Sequence, residues 1–165
     1  MPGCAVSVHD MAANGNVAKV AAMLEERPEL LEQPNPMGKT PLFYAVTYGR
    51  EDVVQLLLDK GANVNTADQT GMTPLHVAAT LDRIEEARLL IDYGADLEAR
   101  DDFGDTPLHS AAIHGKLQFV EFLLDNGADA DAENNDGLRT ADLAEKYRND
   151  DIARFLETVH SGESP

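Results

Sequence analysis

The chain has 165 residues, a single cysteine (Cys4), no tryptophan and a formal net charge of −17, which bounds it to one domain with a substantial core and no need of an oxidising compartment. That charge opposes nucleic acid and anionic membrane and favours a basic or neutral protein partner, although ordinary solubilising acidity accounts for it equally well. No window reaches the roughly 18 apolar residues of a membrane span, and Met1–Asp10 lacks a basic n-region and an apolar h-region. The expectation is a cytoplasmic, intracellular protein without an export signal.

The first unit, residues 5–36, carries Val8-His9, Gly15 and then Val17, Val20, Ala21, Met23 and Leu24 on a second helix. It has no Thr-Pro start, and Arg27-Pro28-Glu29-Leu30-Leu31 closes it. Three units follow, over 37–69, 70–102 and 103–135. Each holds one phrase at a 33-residue period: Thr40-Pro41-Leu42-Phe43-Tyr44-Ala45-Val46, Thr73-Pro74-Leu75-His76-Val77-Ala78-Ala79 and Thr106-Pro107-Leu108-His109-Ser110-Ala111-Ala112. The threonine hydroxyl is placed to cap a helix and the proline to occupy its first position, where a missing N–H costs nothing. A turn near Gly49 and Gly115 ends that helix. A second helix then carries Val53, Val54, Leu56 and Leu57, or Phe119, Val120, Phe122 and Leu123, toward a common core. Gly61, Gly94 and Gly127 close it in a left-handed conformation. Gly38, Gly71 and Gly104 mark tight turns in the polar stretches between units.

The last unit, residues 136–160, keeps the period through Gly137 but has Arg139 for the capping threonine and Arg148 for the turn glycine. Its first helix is weaker by about 1 kcal/mol if Arg139 supplies no substitute cap. Its polar residues suit a terminal unit, and 161–165 read as a disordered tail.

The period and the Thr-Pro-Leu-His-x-Ala phrase resemble the ankyrin repeat. The resemblance implies a single domain over 5–160, an all-α solenoid of stacked helix-turn-helix units joined by β-hairpin-like finger loops, with a capping repeat at each end. It also implies that His76 and His109 hydrogen-bond backbone groups between repeats, and that partners bind on the concave face and finger tips. Polar caps favour a monomer.

Chemistry is sparse. His109 and His114 are five apart rather than i, i+4, no cysteine lies near, and no phosphate loop or nucleophile elbow appears. The expectation is therefore no enzyme, no metal and no cofactor.

The informative positions are those the fold leaves free. Flanking the finger glycines stand Met37 and Lys39, then Thr70 and Met72, Phe103 and Asp105, Asp136 and Leu138. Late in the first helices stand Thr47-Tyr48, Thr80-Leu81, Ile113-His114 and Lys146-Tyr147; before the closing glycines stand Lys60, Tyr93 and Asn126. The resemblance places these slots on the concave face or finger tips. Met37, Tyr48, Met72, Leu81, Tyr93, Phe103, Ile113 and Leu138 then form an apolar and aromatic track of the composition that enriches interface cores. Packing against the adjacent helix accounts equally well for Leu81 and Ile113. Carboxylates on two successive fingers, Asp96, Glu98, Asp101, Asp102 and Asp105, then Asp129, Asp131, Glu133 and Asp136, would align as an acidic ridge beside Phe103 that steers a basic partner. The function expected is a protein-protein interaction module gripping a neutral or basic segment. An alternative is a dedicated inhibitor of one enzyme such as a kinase; small acidic ankyrin inhibitors of cyclin-dependent kinases shorten the first helix of their second repeat, whereas Thr40–Gly61 is full length. A purely structural spacer would expose no anchors.

Overall fold

Five residues spaced by 33 start the inner helices: Ser7, Thr40, Thr73, Thr106 and Arg139. The computed structural model describes residues 7–161, so Cys4, the first residues of the N-terminal unit and positions 162–165 lie outside them; Ser161, assigned above to the tail, ends the last helix. The inner helices are α1 (Val8–Ala13), α3 (Pro41–Thr47), α5 (Pro74–Leu81), α7 (Pro107–Ile113) and α9 (Thr140–Lys146). Each is followed by an outer helix: α2 (Val17–Glu26), α4 (Glu51–Asp59), α6 (Ile84–Asp92), α8 (Leu117–Asp125) and α10 (Asp150–Ser161). Inner helices pack on inner and outer on outer, giving a two-layer solenoid with its core between the layers.

Side chains too small to keep helices apart explain the close inner layer. Ala12, Ala45, Ala78, Ala111 and Ala144 recur at the same period and are all fully buried. The outer layer contributes Leu24, Leu57, Leu90, Leu123 and Leu156 to the core. Burying each leucine is worth roughly 2 kcal/mol, and no repeat covers its own set without a neighbour.

Two caps are fully reciprocal: the Ser7 hydroxyl accepts the Asp10 amide and the Thr106 hydroxyl the His109 amide, while the third helical residue takes the cap residue's own N–H, Asp10 from Ser7 at 3.2 Å and His109 Nδ1 from Thr106 at 3.0 Å. Thr40 accepts the Phe43 amide with nothing returned, whereas His76 Nδ1 takes the Thr73 N–H at 3.1 Å and Asp142 that of Arg139 at 2.8 Å. A guanidinium has no acceptor, so Asp142 is the substitute cap of α9, and the cationic side chain of Arg139 lies 3.5 Å from it. Ser7 and Asp10 put the N-terminal unit in register with the rest, a signal hidden because α1 has 6 residues and α3 has 7. The segment Pro28–Glu32 forms a 3₁₀ helix that buries Leu30. Asp82 and Arg148 take the left-handed conformation that Gly49 and Gly115 take in the other repeats.

The fingers are tight hairpin-like turns. Each is closed by two main-chain hydrogen bonds, such as Asp101 N–H to the Asp105 carbonyl at 3.1 Å and Gly104 N–H to the Asp101 carbonyl at 2.9 Å. The residue opening the turn, Asn35, Asp68, Asp101 or Asn134, accepts amides two and four positions on. Successive tips are tied by a main-chain ladder: Gln69 donates to the Met37 carbonyl, Asp102 to Thr70 and Asn135 to Phe103, each at 3.0 Å.

His76 links cap and finger. Because Nδ1 accepts the Thr73 amide, the proton is on Nε2, which donates to the Asp105 carbonyl of the next finger at 2.9 Å. His9 Nε2 likewise reaches the Gln33 and Lys39 carbonyls at 2.9 and 3.2 Å. His109 Nε2 faces the Leu138 and Ala132 carbonyls without a bond of good geometry. Burial holds the His76 and His109 imidazoles below their ordinary value of 6.5. A group with a lowered folded pKa stabilises fully above its unfolded value, and that contribution is lost as pH falls toward the folded one. The thermal midpoint should therefore drop as pH goes from 7 to 5, before most carboxylates titrate. A His76→Phe/His109→Phe variant, which repeats the choice of Phe43 in the second repeat, should be less stable at pH 7 and have a flatter profile across that window.

Candidate protein-interaction surface

The inner helices end, and the finger tips project, along one side of the solenoid. Between them runs a groove of about 290 Å³ lined by Met72 and Thr80 of the third repeat, Phe103, Ile113 and His114 of the fourth, and Leu143, Lys146 and Tyr147 of the fifth, with Asp136 on the adjoining tip. Phe103 is 70 % exposed although it anchors the tip ladder through its carbonyl. Its amide is held by Asp101 at 2.9 Å, so the ring projects from a fixed backbone. Ile113 and Met72 are half-buried, each presenting one face to the groove. His114 is exposed, with Nδ1 2.8 Å from the Ser110 carbonyl.

Toward the N-terminus, in the equivalent slots of the second repeat, stands a second aromatic group. Tyr48, 51 % exposed, stacks on Tyr44 with centroids 6.3 Å apart; Tyr44 meets the edge of His9, and its hydroxyl accepts a hydrogen bond from Asn35. Met37 is exposed on the first tip, and Leu81 is 41 % exposed at the end of α5, in the slot occupied by Tyr48, His114 and Tyr147 in other repeats. Tyr147, also 51 % exposed, lines the groove but is missing from the sequence-based track; its register with Tyr48 is the signal that points to it.

Three expected contact residues also carry bonds within the scaffold, two of them, Asp101 and Asp105, while lining the groove. Asp105 is buried: its carboxylate accepts from the Asn134 amide at 2.8 Å and its carbonyl from His76. Asp101 spends its carboxylate on the amides of Phe103 and Asp105. Tyr93 lies on the outer layer, where it forms a clasp with Asp59 and Gln55 of α4. The short bond to Asp59 raises its phenol above the ordinary value. Tyr93 therefore faces away from the groove. Lys39 is partly committed, with Nζ 4.7 Å from the Phe43 ring centroid and 3.7 Å from Asp68.

The acidic ridge also divides. Asp96 and Asp129 accept amides within their own turns, and Glu98 accepts the Asp129 amide from the next repeat at 2.8 Å. These carboxylates fasten the loops behind the outer helices. Beside Phe103 stand the exposed side chains of Asp102 and Asp136. Asp131 lies 3.6 Å from Arg139.

No helix among the described residues is long and apolar enough to cross a membrane. Residues 8–101 and 97–162 match the family described as ankyrin repeats (3 copies). Among curated proteins, the NAD-capped RNA hydrolase NUDT12 of Homo sapiens is 40 % identical over 65 residues, which are 38 % of this chain and 14 % of that protein. Inversin of Gallus gallus is 36 % identical over 66 residues, 40 % of this chain and 6 % of its own length. The DNA-binding protein RFXANK of Homo sapiens is 33 % identical over 58 residues, 35 % of this chain and 22 % of its own. The chain thus spans a small part of each of these relatives, and what it has in common with them is the repeat itself. With the period, the caps, the paired helices and a matched region covering nearly all described residues, the chain belongs to the ankyrin repeat family.

Proposed function

We propose that this chain is a non-catalytic binding module that grips a neutral or basic protein segment in the groove between its finger tips and inner helices. The observation that carries the reading is Phe103: a large aromatic side chain left 70 % exposed on a rigid tip, over a groove that sets the apolar side chains of Met72, Ile113 and Leu143 among polar ones. An exposed ring on a fixed backbone loses little conformational entropy on binding, and aromatic residues dominate interface energetics. Asp102 and Asp136 beside it add a local negative field that attracts Lys or Arg on the partner and hastens encounter more than it tightens the complex. The ankyrin family as a whole serves protein-protein interaction, the acidity of the full chain agrees with a basic partner, and a single cysteine, which can form no internal disulfide, agrees with an intracellular setting.

The test is affinity capture from cell extract with wild type and a Tyr48→Ala/Phe103→Ala variant, at low and moderate salt. A protein retained by wild type, lost by the variant and weakened by salt supports the groove and its charge. Identical capture by both would exclude this surface as the binding site.

A further inference from the structure

Two slots of the groove change character in the fourth repeat. The first, on the inner helices, runs Met11, Tyr44, Val77, Ser110 and Leu143, so one hydroxyl stands where the other repeats have bulkier apolar or aromatic side chains. Ser110 is 5 % exposed and lines the groove; its Oγ has no hydrogen-bond partner among the described residues and is open to solvent. The second slot, after the finger glycine, runs Lys39, Met72, Asp105 and Leu138. Asp105 is 9 % exposed and lines the groove too. Its Oδ1 accepts from Asn134 at 2.8 Å, while Oδ2 has no partner among the described residues and is not sealed from solvent.

The chain itself shows which cation fits beside such a carboxylate. Asp68 opens the second finger as Asp101 opens the third, and in both Oδ1 takes the amides of the turn. Asp68 Oδ2 lies 3.7 Å from Nζ of Lys39 on the preceding finger, whose ammonium also stands 4.7 Å from the Phe43 ring centroid. Beside Asp101 the residue equivalent to Lys39 is Met72, and Asp101 Oδ2 has no cation among the described residues. Lys146, on the inner-helix side of the groove, pairs with neither Asp101 nor Asp105. His76 lies near both, but burial favours its neutral form and its Nε2 proton goes to the Asp105 carbonyl. Uncompensated carboxylates that line one concave site attract a cation more strongly than the same charges spread over an open surface.

We propose that the groove receives the side chain of a lysine from the partner, its ammonium between Asp101 and Asp105 and its stem along Met72 and Ile113 beside the Phe103 ring. This names the residue chemistry that the binding reading above leaves open, and it rests on that reading. An ammonium has three donors, which Asp101 Oδ2, Asp105 Oδ2 and the Ser110 hydroxyl can meet. A guanidinium favours both oxygens of one carboxylate, and here each carboxylate already has Oδ1 engaged. The apolar stem suits the methionine and isoleucine walls, as long cationic side chains bury their methylenes and leave the charge at a polar end.

Selection of a displayed library of random peptides on the full chain tests the site. The enriched peptides should share a lysine at one position, next to an apolar residue. In a synthetic copy, replacing that lysine by norleucine, which keeps the stem and removes the ammonium, should weaken binding at least about tenfold; arginine there should cost about threefold. Asp101→Asn repeats Asn35 and Asn134 and so keeps the turn. It should weaken the lysine peptide about tenfold and the norleucine peptide less than about twofold. Met72→Lys, which repeats Lys39, supplies the cation from within and should weaken the lysine peptide by a similar factor. Enrichment without a fixed lysine, or equal losses for both peptides on Asp101→Asn, would overturn the lysine site. The groove reading fails separately: peptides that bind Phe103→Ala as tightly as wild type would place the binding surface elsewhere.

Discussion

Gly71→Ala should destabilise the protein by about 3 kcal/mol, whereas Gly61→Ala should cost only about 1 kcal/mol. Both glycines have positive φ, 78° and 88°, so an alanine at either pays a similar conformational penalty. They differ in what a Cβ would meet. At Gly61 nothing lies within 4 Å, but at Gly71 the added carbon would sit 2.9 Å from both Asp101 Cα and the Asp102 amide nitrogen. Those atoms are backbone and cannot rotate aside. Relief would require the third finger to move, stretching the Asp102–Thr70 bond of the ladder and the His76–Asp105 bond beneath it. Stability in a solenoid is a sum of nearest-neighbour terms, so the loss should be concentrated between the third and fourth repeats. Thermal or urea unfolding of the two variants side by side checks this; equal losses would show that contact between fingers contributes nothing.

Phe103→Ala should weaken partner binding by about 30-fold or more, the loss of roughly 2 kcal/mol expected for a central aromatic anchor. The same change should leave the thermal midpoint nearly untouched, because the ring is exposed and the backbone it stands on is held by Asp101 and Asn135. Tyr147→Ala should have a smaller effect in the same direction. Tyr93→Phe, on the outer layer, should leave affinity unchanged while removing the clasp to Asp59. Titration of the captured partner against these variants separates groove from outer surface. A loss on Tyr93→Phe as large as that on Phe103→Ala would mean that both faces contribute.

The period, the caps and the helix pairs are legible in the sequence because local chemistry fixes them: a threonine, a proline and a histidine at set spacing specify a capped helix whatever surrounds it. The free slots are less legible, because their exposure depends on which edge of a turn meets the neighbouring repeat. Asp101 and Asp102 are adjacent, yet Asp101 closes its own turn and Asp102 faces solvent. Asp105 follows the finger glycine like Lys39 and Met72, but Asn134 of the next finger captures it. Tyr93 shares its slot with Lys60 and Asn126; it faces outward because the slot ends an outer helix, and Asp59 is there to receive the hydroxyl. Ser7 and Asp10 are hard to recognise as a cap because α1 is shorter, which displaces Gly15 from the period that the cap keeps.

The central claim, that partners are held in the groove rather than on the outer layer, is tested most directly by site-specific photo-crosslinking in cell extract. Benzoylphenylalanine would be placed at Phe103 in one protein and at the exposed Glu121 of α8 in another. The account predicts a discrete crosslinked partner from position 103, diminished by added salt, and none from position 121. Capture from 121 with none from 103 would contradict it.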